Sequence, residues 1–556
     1  MKELKFSDGT GEIDKTLFYK NDFSISCADP GCLYVSEKDD PINGGWFYMY
    51  STGHCDSKDG DCAYTAFPCY RSRDLGEWEK AGAANGHALK VKASDWAEKF
   101  FWAPEVIRDP ESGKYYMYFS AGAKKGDATS EYTSETEDMW ACLYLGIAVS
   151  DSPVGPFTMA EGVNLDGDEI SGKNPPFNFE KKLGLSHYWS AIDISPFIAP
   201  DGTLYVYFAK HVDKFHNCIC VYGMKMKDFI TPDYSTVTKL THPSVLTGTG
   251  KAGDVSYFDK GAEKIDEGNV NEGPFMTFHD GKYYLTYSPF GYGSRRYAIM
   301  QAVSDSPLGP FVKIPYEEGN PVIGINSVND YMAGTGHHNF AYTDKEMWAV
   351  YHAHRDPVEP CDKDGKFKGR VLAVDRVGFV YNQKLGFDIL RGFGPTASLQ
   401  PLAEVNGNCE NLARSAKITS SAIGDTQKYL NDGFIAVHPF SAEEEAVFKG
   451  SAEITFTFDK PKEIRAVMAY NSISYGCAFS RINAVTLSLN GEKSVIKNIP
   501  ADPADVNREK RFMRAGGSAK AVFKPIKADE VKIVISSKYD DKEDTIKISE
   551  IVILGK

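Results

Sequence analysis

Three carboxylates open three strand-like runs of this sequence. Asp29 lies in CADPGCLYV, Asp193 in AIDISPFIAP and Glu272 in NEGPFMTFHD. Brought into one pocket, such residues can divide the work of acid and base. A protonated carboxyl hands its proton to a leaving oxygen while an ionised one activates water or attacks carbon, the pairing that cleavage of a glycosidic bond requires. A third carboxylate in a partly dry pocket raises the pKa of its neighbours and so keeps an acid protonated near neutral pH. A lone Asp beside an apolar strand is ordinarily a turn or cap residue. Three at corresponding positions point to a shared pocket.

The elements that must position them repeat five times. WFYMYST from Trp46, KYYMYFSAG from Lys114, LYVYFAK from Leu204, KYYLTYS from Lys282 and MWAVYHAH from Met347 alternate aromatic and aliphatic residues as β-strands do. Taking Phe47, Tyr116, Tyr205, Tyr284 and Trp348 as markers, the steps are 69, 89, 79 and 64 residues. Turn signals precede most of them, as at Asn43-Gly44-Gly45, Ser112-Gly113, Asp201-Gly202 and Asp280-Gly281, so each strand is the second arm of a hairpin. Counting back from the markers, Pro104, Asp193 and Glu272 lie 12 residues upstream, His337 lies 11 and Asp29 lies 18. A third element recurs as AVSDSPVGPF and AVSDSPLGPF, with RSRDLGEW a looser copy.

Segments of this size, built of several antiparallel strands, suit radial blades around an axis. We therefore expect an all-β chain: a five-bladed β-propeller over residues 15–395, with the first arm of each hairpin next to the axis, followed by a β-sandwich over 408–556. The second boundary rests on a change of texture to fewer aromatics and runs such as AEITFTFDK, AVTLSLNG and EVKIVISSK.

Bulk composition excludes several classes. A net charge of −14 repels phosphate backbones and argues against nucleic acid as a partner, while leaving neutral sugars unaffected. No apolar run approaches the roughly 20 residues of a membrane span. Eleven cysteines include no CxxC pair. Cys55, Cys62 and Cys69, at seven-residue spacing, read as a reduced loop and buried strand thiols in preference to a metal or disulfide cluster. MKELKFSDGTGEIDKTLFYK has no apolar leader core, so the expected location is cytoplasmic, or secreted or periplasmic if a leader has been removed.

In combination, ADP at 28–30, WAPEV at 102–106, the ID at 192–193, NEGPF at 271–275 and the GxGH at 334–337 resemble glycoside hydrolase family 43. The resemblance spans the propeller. It implies an inverting glycosidase in which Asp29 is the general base, Asp193 orients and tunes the acid, and Glu272 is the general acid. It also implies that His337 supports a calcium ion on the propeller axis, with no organic cofactor; the other reading of His337 is a metal-free histidine bonded to Asp29 or to the sugar. Calcium prefers oxygen ligands, so a lone imidazole would need waters to complete its shell. Arg370 resembles the family's arginine for a sugar hydroxyl, with Arg376 a competing choice. Trp102 would stack on the sugar or else pack between blades. NLARSAKITSSA, YLNDG at 429–433 and IKISEIVILGK resemble a discoidin-like, galactose-binding-like jelly-roll sandwich, which implies a possible carbohydrate-binding module.

The substrate expected first is a terminal α-L-arabinofuranosyl residue of an arabinose- or xylose-containing glycan. A β-D-xyloside and a β-galactofuranoside or galactan are alternatives, and loops such as 121–140 and 161–187 are expected to shape the choice. Two rivals differ in mechanism or class. A retaining enzyme of the fructan-hydrolysing type would use Arg108-Asp109-Pro110, but this triplet lies at the mouth of a hairpin. A non-catalytic, carbohydrate-binding propeller would have no use for a protonated Glu272.

Overall fold

Short strands that are apolar on both faces must be covered on both, and the chain achieves this by arranging sheets radially. The computed structural model describes residues 2–9, 11–53, 65–123, 143–185, 189–211, 219–243, 256–257, 267–325, 331–437, 444–542 and 544–556. Five sheets of four or five strands follow in sequence order, and each hairpin's opening arm forms one border of its sheet. These arms are Gly31–Val35, Ala97–Arg108, Ala191–Ile198, Asn271–His279 and Gly336–Tyr342. Each touches the opening arm of the blade before and after it, and the fifth touches the first, so together they ring the axis of a five-bladed β-propeller. Among the described residues the one α-helix is Phe179–Leu183, and no helix is long and apolar enough to cross a membrane.

The aromatic second arms are the packing centre of each blade. Phe47, Tyr50, Tyr118, Tyr207, Tyr284 and Trp348 are fully buried. Buried tyrosine hydroxyls need partners, and here they find them on the next blade. Tyr50 donates to the carbonyl of Pro153 at 2.6 Å, Tyr118 to that of Phe229 at 2.7 Å, and Tyr207 to that of Pro307 at 3.0 Å. Pro153 and Pro307 belong to the two SDSPxGP turns, so that repeated motif is an inter-blade acceptor. The ring closes through the N-terminal segment. The Cys27 amide donates to the Arg370 carbonyl, the Leu372 amide to that of Ile25, and the Asn21 side chain to the carbonyls of Val374 and Thr396.

Beyond the propeller, nine described strands from Glu410–Asn411 to Thr545–Gly555 form one mostly antiparallel assembly around its own apolar core. Two long strands, Ala452–Asn471 and Ser518–Ile535, pair along their length through register shifts. The chain's first strand, Lys2–Glu3, joins this assembly in parallel beside Glu492–Pro500, which the sequence boundaries did not anticipate. Leu17, Phe18 and Leu399 share an apolar cluster with Met468, Tyr470, Val552 and Leu554, so the assembly is packed on the propeller and not merely tethered to it.

Cys69 is a buried free thiol, whereas Cys55 and Cys62 lie outside the described residues. Residues 124–140 of the first expected specificity loop also lie outside them. Residues 186–187 of the second loop lie outside them too, and its described part packs into the apolar cluster shared by the second and third blades, where Phe179 stacks on Trp189 at 5.2 Å.

Gly31 marks the tightest approach between the first two blades, since a Cβ there would sit 2.1 Å from the Pro104 carbonyl oxygen. Backbone cannot yield as a side chain does. Gly31→Ala should therefore cost about 1–3 kcal/mol, read as a lowered denaturant midpoint with unchanged slope.

Candidate active site

The pocket end of every opening arm carries a residue in the left-handed region, and that of the second blade has a further one at Phe100. The five are Asp29 (φ 50°), Ala103 (46°), Asp193 (60°), Gly273 (55°) and His337 (44°). Four of the five are not glycine, and such conformations cost of order 1–3 kcal/mol each and collect at functional sites. In blades two to five a break in strand register accompanies them. The bulge turns the chain so that consecutive residues serve the pocket.

This corrects the alignment obtained by counting along the sequence. Glu272 is not level with Asp193. Its strand partner is Ser288, as Ile192 pairs with Ala209 and Trp102 with Ser120, so Glu272 stands one position before the bulge. Pro104 likewise yields its place to Ala103. The hairpins differ in length by a residue or so, and a count from a marker strand absorbs that difference as a false register.

A side chain on the preceding blade holds the bulge amide in four of the five cases. Ala103 N donates to Thr52 Oγ1 (3.0 Å), Asp193 N to Ser120 Oγ (2.9 Å), His337 N to Ser288 Oγ (2.9 Å) and Asp29 N to His352 Nδ1 (3.2 Å). In the third blade the corresponding residue is Ala209, which has no acceptor. There the Gly273 amide donates to Asp193 Oδ2 at 3.0 Å, tying one carboxylate to the backbone beside another.

All three carboxylates are buried, yet their protonation differs. Burial alone pushes the Asp29 carboxyl up, but Arg370, His337, His352 and a hydrogen bond from Thr52 outweigh it and hold Asp29 well below the ordinary carboxylate range. Arg370 Nη1 donates to Asp29 Oδ1 at 2.6 Å and Thr52 Oγ1 to Oδ2 at 2.6 Å. Glu272 goes the other way. Burial, helped by the charge of Asp29, pushes it to about 7 against the opposing pull of the Tyr297 hydroxyl, Arg370 and the Tyr292 amide. Asp193 is raised well above its usual value, first by burial and then by the charges of Glu272 and Asp29. A single guanidinium cannot neutralise three buried carboxylates, so the charge rests on Asp29 and protons on the others. An ionised base and a protonated acid in one pocket are the requirement for glycosidic hydrolysis.

Of the remaining sequence candidates, Arg370 is in the pocket, its guanidinium carbon 4.4 Å above the Tyr292 ring. Arg376 is elsewhere, bound to Glu346 at 2.7 Å and to the carbonyls of Pro401 and Leu402. Trp102 is half-buried opposite Ser120, the acceptor for Asp193, with its ring 5.3 Å from that of Phe100. His338 points away from His337, with Nε2 2.6 Å from Thr286 Oγ1. Asp109 accepts the amide of Glu111 in a turn at the far end of its strand, outside the pocket.

Sequence reasoning missed Thr52, His352 and Tyr297. The first two stand where the aromatic second arms run out, level with Ser120 and Ser288, so the repeat already held the signal. Tyr297 donates to Glu272 Oε1 at 2.9 Å from a loop with no repeat to mark it. The GxGH motif has a steric reason: a Cβ on Gly334 would lie 2.1 Å from His354, and one on Gly336 would lie 2.5 Å from the Tyr297 ring.

The residues present do not fit calcium well. His337 Nδ1 faces Asp29 Oδ1 at 3.2 Å and Asp193 Oδ2 at 3.9 Å, and burial keeps the imidazole neutral. Among the described residues no three His, Cys, Asp or Glu side chains form a metal-holding group. One nitrogen with waters falls short of the oxygen shell calcium selects.

The family model described as glycosyl hydrolases family 43 matches residues 42–383, which include Trp102, Asp193, Glu272, His337 and Arg370, while Asp29 lies just ahead of the match. A xylosidase/arabinosidase of Humicola insolens is 24% identical over 293 residues, covering 48% of this chain and 70% of that protein. A β-D-galactofuranosidase of Aspergillus niger is 24% identical over 364 residues, covering 61% and 81%. The crystal structure of a thermostable family-43 glycoside hydrolase is 26% identical, with a TM-score of 0.49, covering 70% of this chain and all of that one.

Dialysis against a chelator should leave the melting temperature and the turnover rate unchanged. A loss restored by added calcium would place an ion beside His337 after all.

Proposed function

The chain belongs to glycosyl hydrolases family 43 and is a glycosidase, and from that premise we propose that it removes terminal α-L-arabinofuranosyl residues with inversion at the anomeric carbon. The observation that carries this reading is the opposed protonation of two buried carboxyls in one pocket. Asp29, held ionised by Arg370 and Thr52, takes a proton from the attacking water. Glu272, protonated to about pH 7, gives its proton to the leaving oxygen. Asp193, fixed by the Gly273 amide and kept protonated by burial and by the charges around it, is assigned to orient and tune the acid. Trp102 and Arg370 are the groups assigned to the sugar.

The names of similar proteins support a pentose-active enzyme, among them an arabinoxylan arabinofuranohydrolase of Paenibacillus polymyxa and a β-xylosidase of Xylanibacter ruminicola. A β-D-xyloside or β-galactofuranoside is the alternative substrate within the same machinery. The C-terminal assembly is proposed to be a discoidin-like β-sandwich and carbohydrate-binding module, supported by its antiparallel strands and separate core.

Nitrophenyl α-L-arabinofuranoside should be cleaved faster than the β-D-xylopyranoside, β-D-galactofuranoside and β-D-galactopyranoside, and Glu272→Ala and Asp29→Ala should each lose roughly 10²–10⁴-fold. A preference for another sugar replaces the substrate, and undiminished variants sink the assignment of acid and base. NMR of the first-formed anomer tests inversion. Because the acid must be protonated, kcat/KM should fall as pH rises through about 7, while the limb set by Asp29 lies far to the acid side. A profile flat to pH 9 would contradict Glu272 as the acid.

A further inference from the structure

We propose that Tyr297 is a positioning residue for the proton-donating carboxyl: its hydroxyl fixes which oxygen of Glu272 carries the proton and stabilises the carboxylate that proton transfer leaves behind. The inference rests on Glu272 being the general acid.

Tyr297 is fully buried, and its only hydroxyl proton is directed at Glu272 Oε1, 2.9 Å away. An oxygen that accepts this bond serves as the carbonyl oxygen of the acid, so the transferable proton sits on Oε2. During cleavage the Oε2–H bond breaks and the proton passes to the glycosidic oxygen, which takes the electron pair of the breaking C–O bond. Water supplies the oxygen of the new C–O bond and loses its proton to Asp29. At Glu272 the hydrogen bond from Tyr297 now ends on a carboxylate. Bonds to an ionised acceptor are roughly twice as strong as neutral ones, so the interaction grows along the reaction coordinate and favours the transition state over the ground state.

The ring is held in a way that serves this. It stacks on His352 with centroids 5.4 Å apart and planes 6° from parallel, and His352 Nδ1 accepts the amide of Asp29. One aromatic pair thus spans from the backbone of the base to the carboxyl of the acid. The missing side chain of Gly336 makes room for it, since a Cβ there would lie 2.5 Å from the ring.

A positioning role predicts a loss that depends on the leaving group. Tyr297→Phe should lower kcat/KM for a methyl glycoside, whose leaving oxygen must be protonated, by roughly tenfold or more. For the 2,4-dinitrophenyl glycoside, which departs without protonation, the loss should be less than about twofold. Gly336→Ala, whose Cβ would press on the ring at 2.5 Å and on Ser288 Oγ at 2.8 Å while leaving the Tyr297 hydroxyl in place, should give the same leaving-group dependence and stands in if Tyr297→Phe does not fold. Equal losses on both glycosides would reduce Tyr297 to a packing residue, and no loss on either would remove it from the reaction; both overturn the proposal. Glu272→Ala is the internal reference: if it shows no leaving-group dependence itself, the assignment of the acid fails and the role of Tyr297 falls with it, whereas dependence in Glu272→Ala without it in Tyr297→Phe overturns the Tyr297 proposal alone.

Discussion

Left-handed backbone at the pocket end of each opening arm is the constraint on which this site is built. Around the axis, Asp29, Ala103, Asp193, Gly273 and His337 share it, though only one of them is glycine. Such a conformation persists where surrounding bonds over-determine it. Here hydroxyl or imidazole acceptors on the neighbouring blade bind the exposed amides at Ala103, Asp193, His337 and Asp29, so the strain of one blade is held by the next. The result is a rigid rim on which side chains from different blades meet within hydrogen-bond reach. Ala209 breaks the pattern in the third blade. The amide left over at Gly273 binds Asp193, which sets a structural acceptor directly into the carboxylate cluster.

Three buried carboxylates with one guanidinium among them cannot all be charged. The geometry decides which one is. Asp29 receives Arg370 and Thr52 directly and has two imidazoles beside it, while Glu272 receives a tyrosine hydroxyl and an amide, donors that do not repay its burial. The same cluster of acids therefore yields a base and an acid from environment alone, the pattern expected when neighbouring carboxyls are pushed apart in pKa. His352 and Tyr297 extend this asymmetry outward, since their stacked rings connect the amide of Asp29 to the carboxyl of Glu272.

Much of the architecture was legible in the sequence. Aromatic second arms must be covered on both faces, so five copies at blade-sized intervals left few arrangements besides a radial one. The convergence of Asp29, Asp193 and Glu272 followed from their place on the opening arms, and Arg370 sits with them. Less legible was anything that depends on one-residue offsets. The displaced position of Glu272 arises from hairpins of unequal length, and a bulge changes which neighbours face the pocket without changing the residue pattern. The union of Lys2–Glu3 with strands some 490 residues later is of the same kind, because a two-residue strand carries no periodicity of its own.

What the sequence determined by itself is the chemistry available: three carboxylates, an arginine and a histidine on repeated strands, with glycines where two aromatic rings would otherwise collide with the chain. What only the tertiary structure decided is the division of roles among them. Protonation depends on distances of 2.6 to 3.2 Å between residues hundreds of positions apart, such as Arg370 to Asp29 and His337 to Asp29. No local pattern encodes such distances. They exist because the blades close into a ring and bring the first and the fifth into contact.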